Sequence, residues 1–413
     1  MPAVDFVEMA IEESPVYEGA NTAATPYQIS TDKLYLPARS AVLRPGPQYL
    51  DRSDELRGVL GSPPRLIDGF QVAGSLSIRA YPKDLAWLLS LAGFKGVFTA
   101  GGALVTDPDA TTATGVNALD STTVNVADTT LFAASGAFVM LATTVTYTGK
   151  TATSFTGCSA HPATVGGEAI NVNVPTGASR WVFSKRDSID AKTAQVKINY
   201  ATEDVLVTAN GVGLSSLGLN AAGELTAELL GLVFARAAAD TTTVPAPIAL
   251  TIPPFRRRDL TLTWLTSSGR TQDFTLAIAN PLAAINTLGL TVPSFFPDAM
   301  EHGDDQVAVT GSIPKRILDT DDLVALLAGT TFSAKARWKE TKVIGATAYT
   351  YSMWVEMPAC MYVEGAPAEM GNKRRFGMDS LDFFAGYDTT AGYDVKVTLV
   401  NDVTSISAPH GQG

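Results

Sequence analysis

Apolar and polar residues alternate along most of this chain, and that alternation is typical of β-strands with one buried face. Alternating stretches begin at Phe70, Arg180 and Ala336, and a further one from Tyr393 predicts a terminal strand. Glycine and proline turns separate these stretches. The pattern therefore predicts a mainly β protein in which helices are few and short.

One pattern occurs twice. The chain reads FQVAGSLSIRAYPKDLAWLLSLAG from Phe70 and DQVAVTGSIPKRILDTDDLVALLAG from Asp305. Each copy predicts a strand, at 70–81 or 306–313, and then a short helix that ends at Gly93 or Gly329. Two interpretations stay open: a duplicated module, or two unrelated domains that each use an amphipathic helix.

The first of these helices carries clear local signals. Pro82 suits the first helical turn and Asp84 favours the positive end of the helix dipole. Leu85, Leu88 and Leu89 share one helix face by their spacing. Between residues 222 and 238 the sequence AGELTAELLGLVFARAA fits a helix or a strand equally well.

Composition divides the chain further. The segment 101–177 is rich in Thr, Ala, Gly and Val and predicts a small all-β insert. It separates a first module, 1–100 with 178–240, from a second module, 241–413. We interpret the polar, proline-containing segment 1–61 as a long arm with a helical turn near 51–60, which orders on assembly. A hairpin that turns at 267–269 is predicted before the second copy of the pattern.

The charge argues against a protein that grips nucleic acid. The chain of 413 residues has 41 acids and 30 bases, a formal net charge of −11, whereas phosphate binding favours the opposite balance. Two cysteines without a CxxC pair favour a reduced place of synthesis. The acidic N-terminus is not a signal peptide by its pattern, and no apolar run is long enough for a transmembrane helix.

Catalytic patterns fail when they are tested. Residues 146–151 end in Gly-Lys-Thr, but a phosphate loop needs a glycine five residues before Gly149, where Thr144 stands. The three histidines lack metal-ligand spacing. His302 beside Glu301 leaves open a calcium site or a solvated acidic turn. We therefore expect no catalytic residue, no cofactor, no metal and no enzymatic activity.

Contacts between subunits are the predicted sites instead. The basic cluster at 255–260 and a second one at 372–376 suit acidic patches of a neighbouring subunit, and a merely solvated face stays open for both. The stretch 40–64 of the arm suits contacts with other subunits. The predicted contact residues are Arg44, Tyr49, Asp51, Asp54, Glu55, Arg57, Arg256, Arg257, Arg258, Lys373, Arg374 and Arg375.

The long polar arm, GSLSIRAYPKDLAWLLSLAG and VTGSIPKRILDTDDLVALLAG resemble the tail tube proteins of long-tailed bacteriophages (siphophages). The resemblance covers both halves of the chain except the insert. It implies two tandem β-sandwich or barrel modules, each with a short α-helix, that form rings stacked into a hollow tube. Most members carry one module and form rings of six, so a chain with two modules implies a homotrimer with pseudo-sixfold symmetry.

The resemblance also implies partners and a location. The chain would bind copies of itself and the tape-measure, terminator and tip proteins of the tail, within a virion made in the host cytoplasm, without a membrane. DNA would pass through the lumen during ejection without specific binding, since three chains carry 3 × −11 = −33.

The insert is similar to small β-modules of phage structural proteins, through residues 146–149 and 156–158. Glycan contact and mere decoration stay open for it. The alternatives for the whole chain are a tail terminator or baseplate ring protein, and a carbohydrate- or surface-binding β-sandwich protein.

Overall fold

The fold is known from a computed structural model. It describes residues 4–11, 34–36, 38–50, 66–100, 104–105, 113–127, 129, 132, 134–141, 143–168, 170–173, 177–185, 194–200, 205–221, 226–230, 236–240, 252–264, 273–285, 299–302, 308–314, 320–345, 350–367 and 378–403. Within them the chain is mainly β, as the pattern predicts.

The first half holds eighteen of the described strands. They are β1 (Val4–Ile11), β2 (Leu34–Leu36), β3 (Ala38–Leu50), β4 (Leu66–Arg79), β5 (Phe94–Thr99), β6 (Leu104–Val105), β7 (Thr123–Asn125), β8 (Gly136–Met140), β9 (Thr143–Tyr147), β10 (Gly149–Lys150), β11 (Ser154–Thr156), β12 (Ile170–Asn173), β13 (Ser179–Lys185), β14 (Ala194–Tyr200), β15 (Val205–Val212), β16 (Ser216–Asn220), β17 (Thr226–Leu230) and β18 (Arg236–Asp240).

The second half holds nine described strands, and each half holds one α-helix. The strands are β19 (Leu260–Trp264), β20 (Thr275–Ala279), β21 (Leu282–Ile285), β22 (Ala299–His302), β23 (Ala308–Ser312), β24 (Phe332–Val343), β25 (Thr350–Pro367), β26 (Met378–Gly386) and β27 (Lys396–Asn401). The helices are α1 (Leu85–Leu91) and α2 (Thr320–Ala328).

Hydrogen bonds join thirteen antiparallel strands into one continuous sheet, which we divide at β25 into two parts. One part runs through both halves and has the order β3-β4-β17-β16-β20-β23-β26-β25. The other part has the order β19-β24-β25-β27-β13-β5. The long strand β25 belongs to both sheets. Its first part lies between β24 and β27, and from Ala359 onward it pairs with β26. We refer to these as the eight-stranded sheet and the six-stranded sheet.

The two sheets pack face to face on one hydrophobic core. Leu76, Leu217 and Ile278 bury their side chains from the eight-stranded sheet, and Trp338 and Val355 do so from the six-stranded sheet. Aromatic rings from both sheets meet there. The rings of Trp264 in β19 and Phe383 in β26, for example, lie 4.8 Å apart. Because residues of both halves fill this core, the halves do not have separate main cores.

A third sheet, in the order β18-β15-β14-β1-β2, buries Val7, Met9 and Val196 in the same core. The arm interpretation of segment 1–61 is therefore wrong for three stretches, because β1, β2 and β3 lie in sheets of their own chain. Strand β3 contains two prolines and ends the order of its sheet, where missing N–H donors cost least. The predicted turn near 51–60 lies outside the described residues.

The seven described strands from β6 to β12 pair only with one another, in two small sheets. They enclose a separate aromatic core around Phe132, Phe138, Tyr147 and Phe155. The ring centroids of Phe138 and Phe155 lie 4.6 Å apart. This part of the chain thus has the small all-β character that its composition predicts.

Both copies of the repeated pattern form a strand and then a helix, as predicted: β4 with α1, and β23 with α2. Gly93 follows α1 and Gly329 follows α2, both with positive φ, at 89° and 61°. The segment that fitted helix and strand equally forms β17 and β18.

The hairpin that was predicted to turn at 267–269 is wrong. Strand β19 pairs with β24, and β20 pairs with β16 and β23. The two strands lie in different parts of the thirteen-stranded sheet, so their nearness in sequence does not make them partners. The predicted turn residues themselves lie outside the described residues.

We predict that Gly311→Ala destabilises the fold by about 1–3 kcal/mol, because an added Cβ overlaps the Phe383 ring and the Thr275 carbonyl oxygen. The free energy of unfolding from denaturant titration measures this. Gly386→Ala in β26 is the matched control, because its Cβ would meet its nearest neighbours at 3.5 Å. Equal stability of the two variants would contradict the close contact at Gly311.

Candidate assembly surfaces

Two sets of strands follow the same order in the two halves. In the eight-stranded sheet, the order β3-β4-β17-β16 is followed by β20-β23-β26-β25. The third sheet holds β18-β15-β14-β1, and the six-stranded sheet holds β27-β25-β24-β19. Each set contains one helix, α1 after β4 and α2 after β23. The order along the chain also agrees when β25 is counted twice, once for each part of the sheet to which it belongs. The described strands β2, β21 and β22 lie outside the two sets.

The strands β5 and β13 have no counterpart in the second half. They lie on either side of the insert and extend the six-stranded sheet, where β13 pairs with β27. The part of the first half that the second half lacks therefore begins before residue 101 and ends after residue 177.

The eight-stranded sheet has two open edges among the described residues. One edge is β3, which pairs only with β4. The other is the end of β25, because β24 pairs with β25 no further than Cys360. Open edges with free N–H and C=O groups are the places where another chain adds strands.

The outer face of the eight-stranded sheet, on the side away from the core, is built from small and hydroxyl-bearing residues. All of the following are at least partly exposed: Ser75, Ser77, Arg79, Ser216, Gly218, Asn220, Thr275, Ala277, Ala279, Ala308, Thr310, Ser312, Met361, Glu364, Ser380, Asp382 and Phe384. We call this surface the hydroxyl face. Among these residues Glu364 and Asp382 are acids, which lie directly opposite each other on β25 and β26, and Arg79 is a cation.

The outer face of the six-stranded sheet has the opposite charge, and we call it the basic face. Its partly or fully exposed outward positions carry Lys95, Lys335, Arg337, Lys339 and Lys396, whereas Arg180 on the same side is buried. Among the described outward positions of this sheet, Glu356 is the only acid. It lies 3.2 Å from Lys335 and 2.9 Å from Lys396, and Arg337 lies 5.5 Å from the Trp354 ring centroid.

The acid pair of the hydroxyl face and the cations of the basic face thus lie on opposite sides of the core. Sequence reasoning missed this division, because the cations come one or two at a time from strands far apart in the chain. Only the register of the sheet brings them into one surface.

The predicted contact residues divide into three groups. Arg256 pairs within its own chain, with Glu340 at 2.8 Å and Asp259 at 3.3 Å. Arg257 and Arg258 are exposed beside it. Arg44 and Tyr49 lie in the open strand β3. Asp51, Asp54, Glu55, Arg57, Lys373, Arg374 and Arg375 lie outside the described residues.

The two helices differ in how their equivalent positions are covered. Leu85 and Leu89 of α1 are fully buried, whereas Leu323 and Leu327 of α2 are 37% and 79% exposed. At the end of α1, Asn280 of the second half donates from Nδ2 to the carbonyl oxygens of Leu91 and Leu214, at 3.3 and 2.7 Å. The second half therefore covers part of α1.

Helix α2 is fixed on its inner side by a buried chain of hydrogen bonds. Trp264 Nε1 donates to Tyr362 Oη at 2.7 Å, and Tyr362 Oη donates to Asp322 Oδ1 at 2.8 Å. Burial is the main cause that raises the pKa of Tyr362, which keeps its hydroxyl protonated as a donor. No sequence motif marks this chain, because its three members are far apart in sequence.

The described residues offer little for chemistry. They contain no group of three or more His, Cys, Asp or Glu that could hold a metal ion. His302 lies in β22, and its acidic neighbours Asp304 and Asp305 lie outside the described part. The five tryptophans are all buried, so none lines an exposed groove.

In the described part of the chain, no helix is long and apolar enough to cross a bilayer. No protein-family model among those scanned matches the chain, and no curated protein sequence matches it.

The N-terminal end of α1 predicts a pH effect. Asp84 is buried, burial raises its pKa from 3.8 to about 8, and its Oδ2 has no hydrogen-bond partner among the described residues. The folded state thus keeps a proton that the unfolded state loses above pH 4. Between about pH 4 and pH 8 this group lowers the stability as the pH rises.

We predict that Asp84→Asn removes this decline. The free energy of unfolding of the variant minus that of the wild type should rise with pH, by at most about 1.4 kcal/mol per pH unit. Denaturant titrations at pH 5 to 8 measure it. Ser90→Ala, a buried change in the same helix without a titrating group, should run parallel to the wild type. A parallel Asp84→Asn curve would exclude the raised pKa.

Proposed function

We propose that this chain is a tail tube protein of a long-tailed bacteriophage, which assembles as three-membered rings stacked into a hollow tube. The observation that carries the proposal is the repeated strand order. The chain has two sets of strands with one helix each, in the same order. Such a duplication gives one chain two equivalent places in a ring of pseudo-sixfold symmetry.

The open edges support ring closure. When β3 of one copy adds to the end of β25 of the next, three copies join 3 × 8 = 24 strands into one cylinder. Closure removes both edges, which would otherwise favour uncontrolled aggregation. Barrels of this strand number are wide enough to leave an aqueous channel.

The hydroxyl face suits the bore of such a tube. It offers small polar groups and the acid pair Glu364 and Asp382. A wall with few cations gains little from release of the counterions of DNA, which favours sliding over stable binding. The same proposal assigns the chain a structural role in the virion, with the tape-measure, terminator and tip proteins as tail partners, and no enzymatic activity.

We predict that the purified protein forms trimers of about 130 kDa (3 × 43.4 kDa) and stacked rings on concentration. Light scattering after size exclusion gives the mass, and negative-stain electron microscopy shows rings, tubes or neither. Rings that never stack would favour a tail terminator or baseplate ring protein. A monomer at every concentration up to the solubility limit would overturn the proposal.

A second prediction concerns stacking. We propose that the segment 51–64 reaches the next ring, and we limit the segment to these residues because β3 extends to Leu50. Replacing it with a short Gly-Ser linker should leave rings that do not stack, as seen by the same microscopy. A scrambled 51–64 sequence of unchanged composition is the control for length. Normal tubes from the linker variant would contradict this role.

A further inference from the structure

The two halves of the chain are joined by one pair of antiparallel strands, and all residues of both strands are described. Strand β16 of the first half pairs with β20 of the second, with Leu217 opposite Ile278 and Gly218 opposite Ala277. We call this pairing the internal joint. Because each half uses the same strand order, the internal joint joins the last strand of one set to the first strand of the next.

The repeated Gln-Val-Ala aligns Leu76 of β4 with Gly311 of β23, and the neighbouring pairs then carry this equivalence to the other strands. Leu229 of β17 lies opposite Leu76 of β4 and Leu217 of β16, and Phe383 of β26 lies opposite Gly311 of β23 and Tyr362 of β25. Tyr362 is therefore the counterpart of Leu217.

At the next paired position, Gly218 lies opposite Glu228, and Glu364 lies opposite Asp382. A register shift between Tyr362 and Glu364 absorbs one extra residue in β25, so Glu364 is the counterpart of Gly218.

The first strands of the two sets correspond in the same way. Ala277 lies opposite Thr310 in β23, and Val42 lies opposite Ser75 in β4. Thr310 pairs with Phe384, and Ser75 pairs with Leu230. Phe384 and Leu230 are themselves counterparts, one position after Phe383 and Leu229. Val42 is thus the counterpart of Ala277, and by the next positions Leu43 and Arg44 are those of Ile278 and Ala279.

From these counterparts we infer that the open end of β25 pairs with β3 of a second copy of this chain in the register of the internal joint. Tyr362 then lies opposite the partner copy's Leu43, Glu364 opposite its Val42, and Met361 opposite its Arg44. The inference rests on the proposed ring and adds the residues by which its subunits join.

Charge complementarity supports the second copy as the occupant. In this register, Arg44 is the diagonal neighbour of Glu364, and Glu364 lies opposite Asp382. Diagonal positions are within reach of long side chains. Without a partner, the two acids face each other with like charge, which is unfavourable. An arginine from the neighbouring edge relieves that repulsion.

Exposed apolar surface is continuous with the same edge. Met361 and Val363 of β25 are 37% and 66% exposed, and Leu327 of the adjacent helix α2 is 79% exposed. A Cβ added to Gly329 would lie 4.0 Å from Met361 Sδ, so the end of α2 borders the open strand. At the internal joint the corresponding border is closed, because Asn280 bonds the end of α1.

A cysteine pair tests the register. In a Cys158→Ser, Cys360→Ala background, Val42→Cys with Glu364→Cys places two thiols at directly opposed positions, where antiparallel Cα atoms lie about 4.5–5.5 Å apart, within disulfide range. Mild oxidation should convert most of the protein to covalent dimers and trimers on a non-reducing gel.

Two controls bracket that result. Gly218→Cys with Ala277→Cys has the same geometry at the internal joint and should give an intramolecular disulfide without a change in mass. Val42→Cys with Thr310→Cys places the second thiol on an interior strand of the hydroxyl face and should stay monomeric on the gel.

The outcomes separate the two proposals. If wild-type protein forms rings and the Val42/Glu364 pair does not cross-link while the internal pair does, the register is wrong and the ring proposal stands. If wild-type protein is monomeric up to its solubility limit and the pair does not cross-link, both proposals are overturned.

Reversal of charge gives an independent test. Arg44→Glu should weaken association by roughly fivefold per joint, as expected for an exposed ion pair, and Arg44→Glu with Glu364→Arg should restore it. Sedimentation velocity over a concentration series measures both. Association of the double variant as weak as that of Arg44→Glu would contradict the diagonal contact.

Discussion

The backbone pairing of β16 with β20 is the interaction on which the rest of this structure depends. Five residue pairs join the two halves there, and the pairing turns two four-stranded units into one eight-stranded sheet. Without it each half would have a further exposed edge. The single core also follows from it, because Leu217 and Ile278 pack from opposite sides of the joint into the same cluster.

Much of the local structure could be predicted, because its signals are local. The strand and helix of each repeated pattern follow from apolar spacing, proline and glycine. The partners of the strands could not be predicted in the same way. The expected hairpin of β19 and β20 was wrong because β19 finds its partner in β24, far along the chain, and alternation alone does not identify a partner.

The candidate surfaces could be predicted only in part, for the same reason. Several expected contact residues lie outside the described residues, and Arg256 already has acidic partners in its own chain. The basic face was missed, because its cations become neighbours only through sheet register. A net charge of −11 suggests a uniformly acidic surface. The fold instead places the acid pair of Glu364 and Asp382 on one face and the cations of the basic face on the opposite side of the core.

That separation matters for a tube. Since the two sheets share one core, the basic face points away from the hydroxyl face, and DNA in a bore lined by the hydroxyl face would not meet those cations. The edge strand adds a further constraint. Pro45 of β3 is the counterpart of Asn280, whose N–H donates to the Ser215 carbonyl oxygen at 2.7 Å. Proline has no N–H, so the proposed joint between copies would have fewer hydrogen bonds than the internal joint, which would make free subunits less prone to pair before assembly.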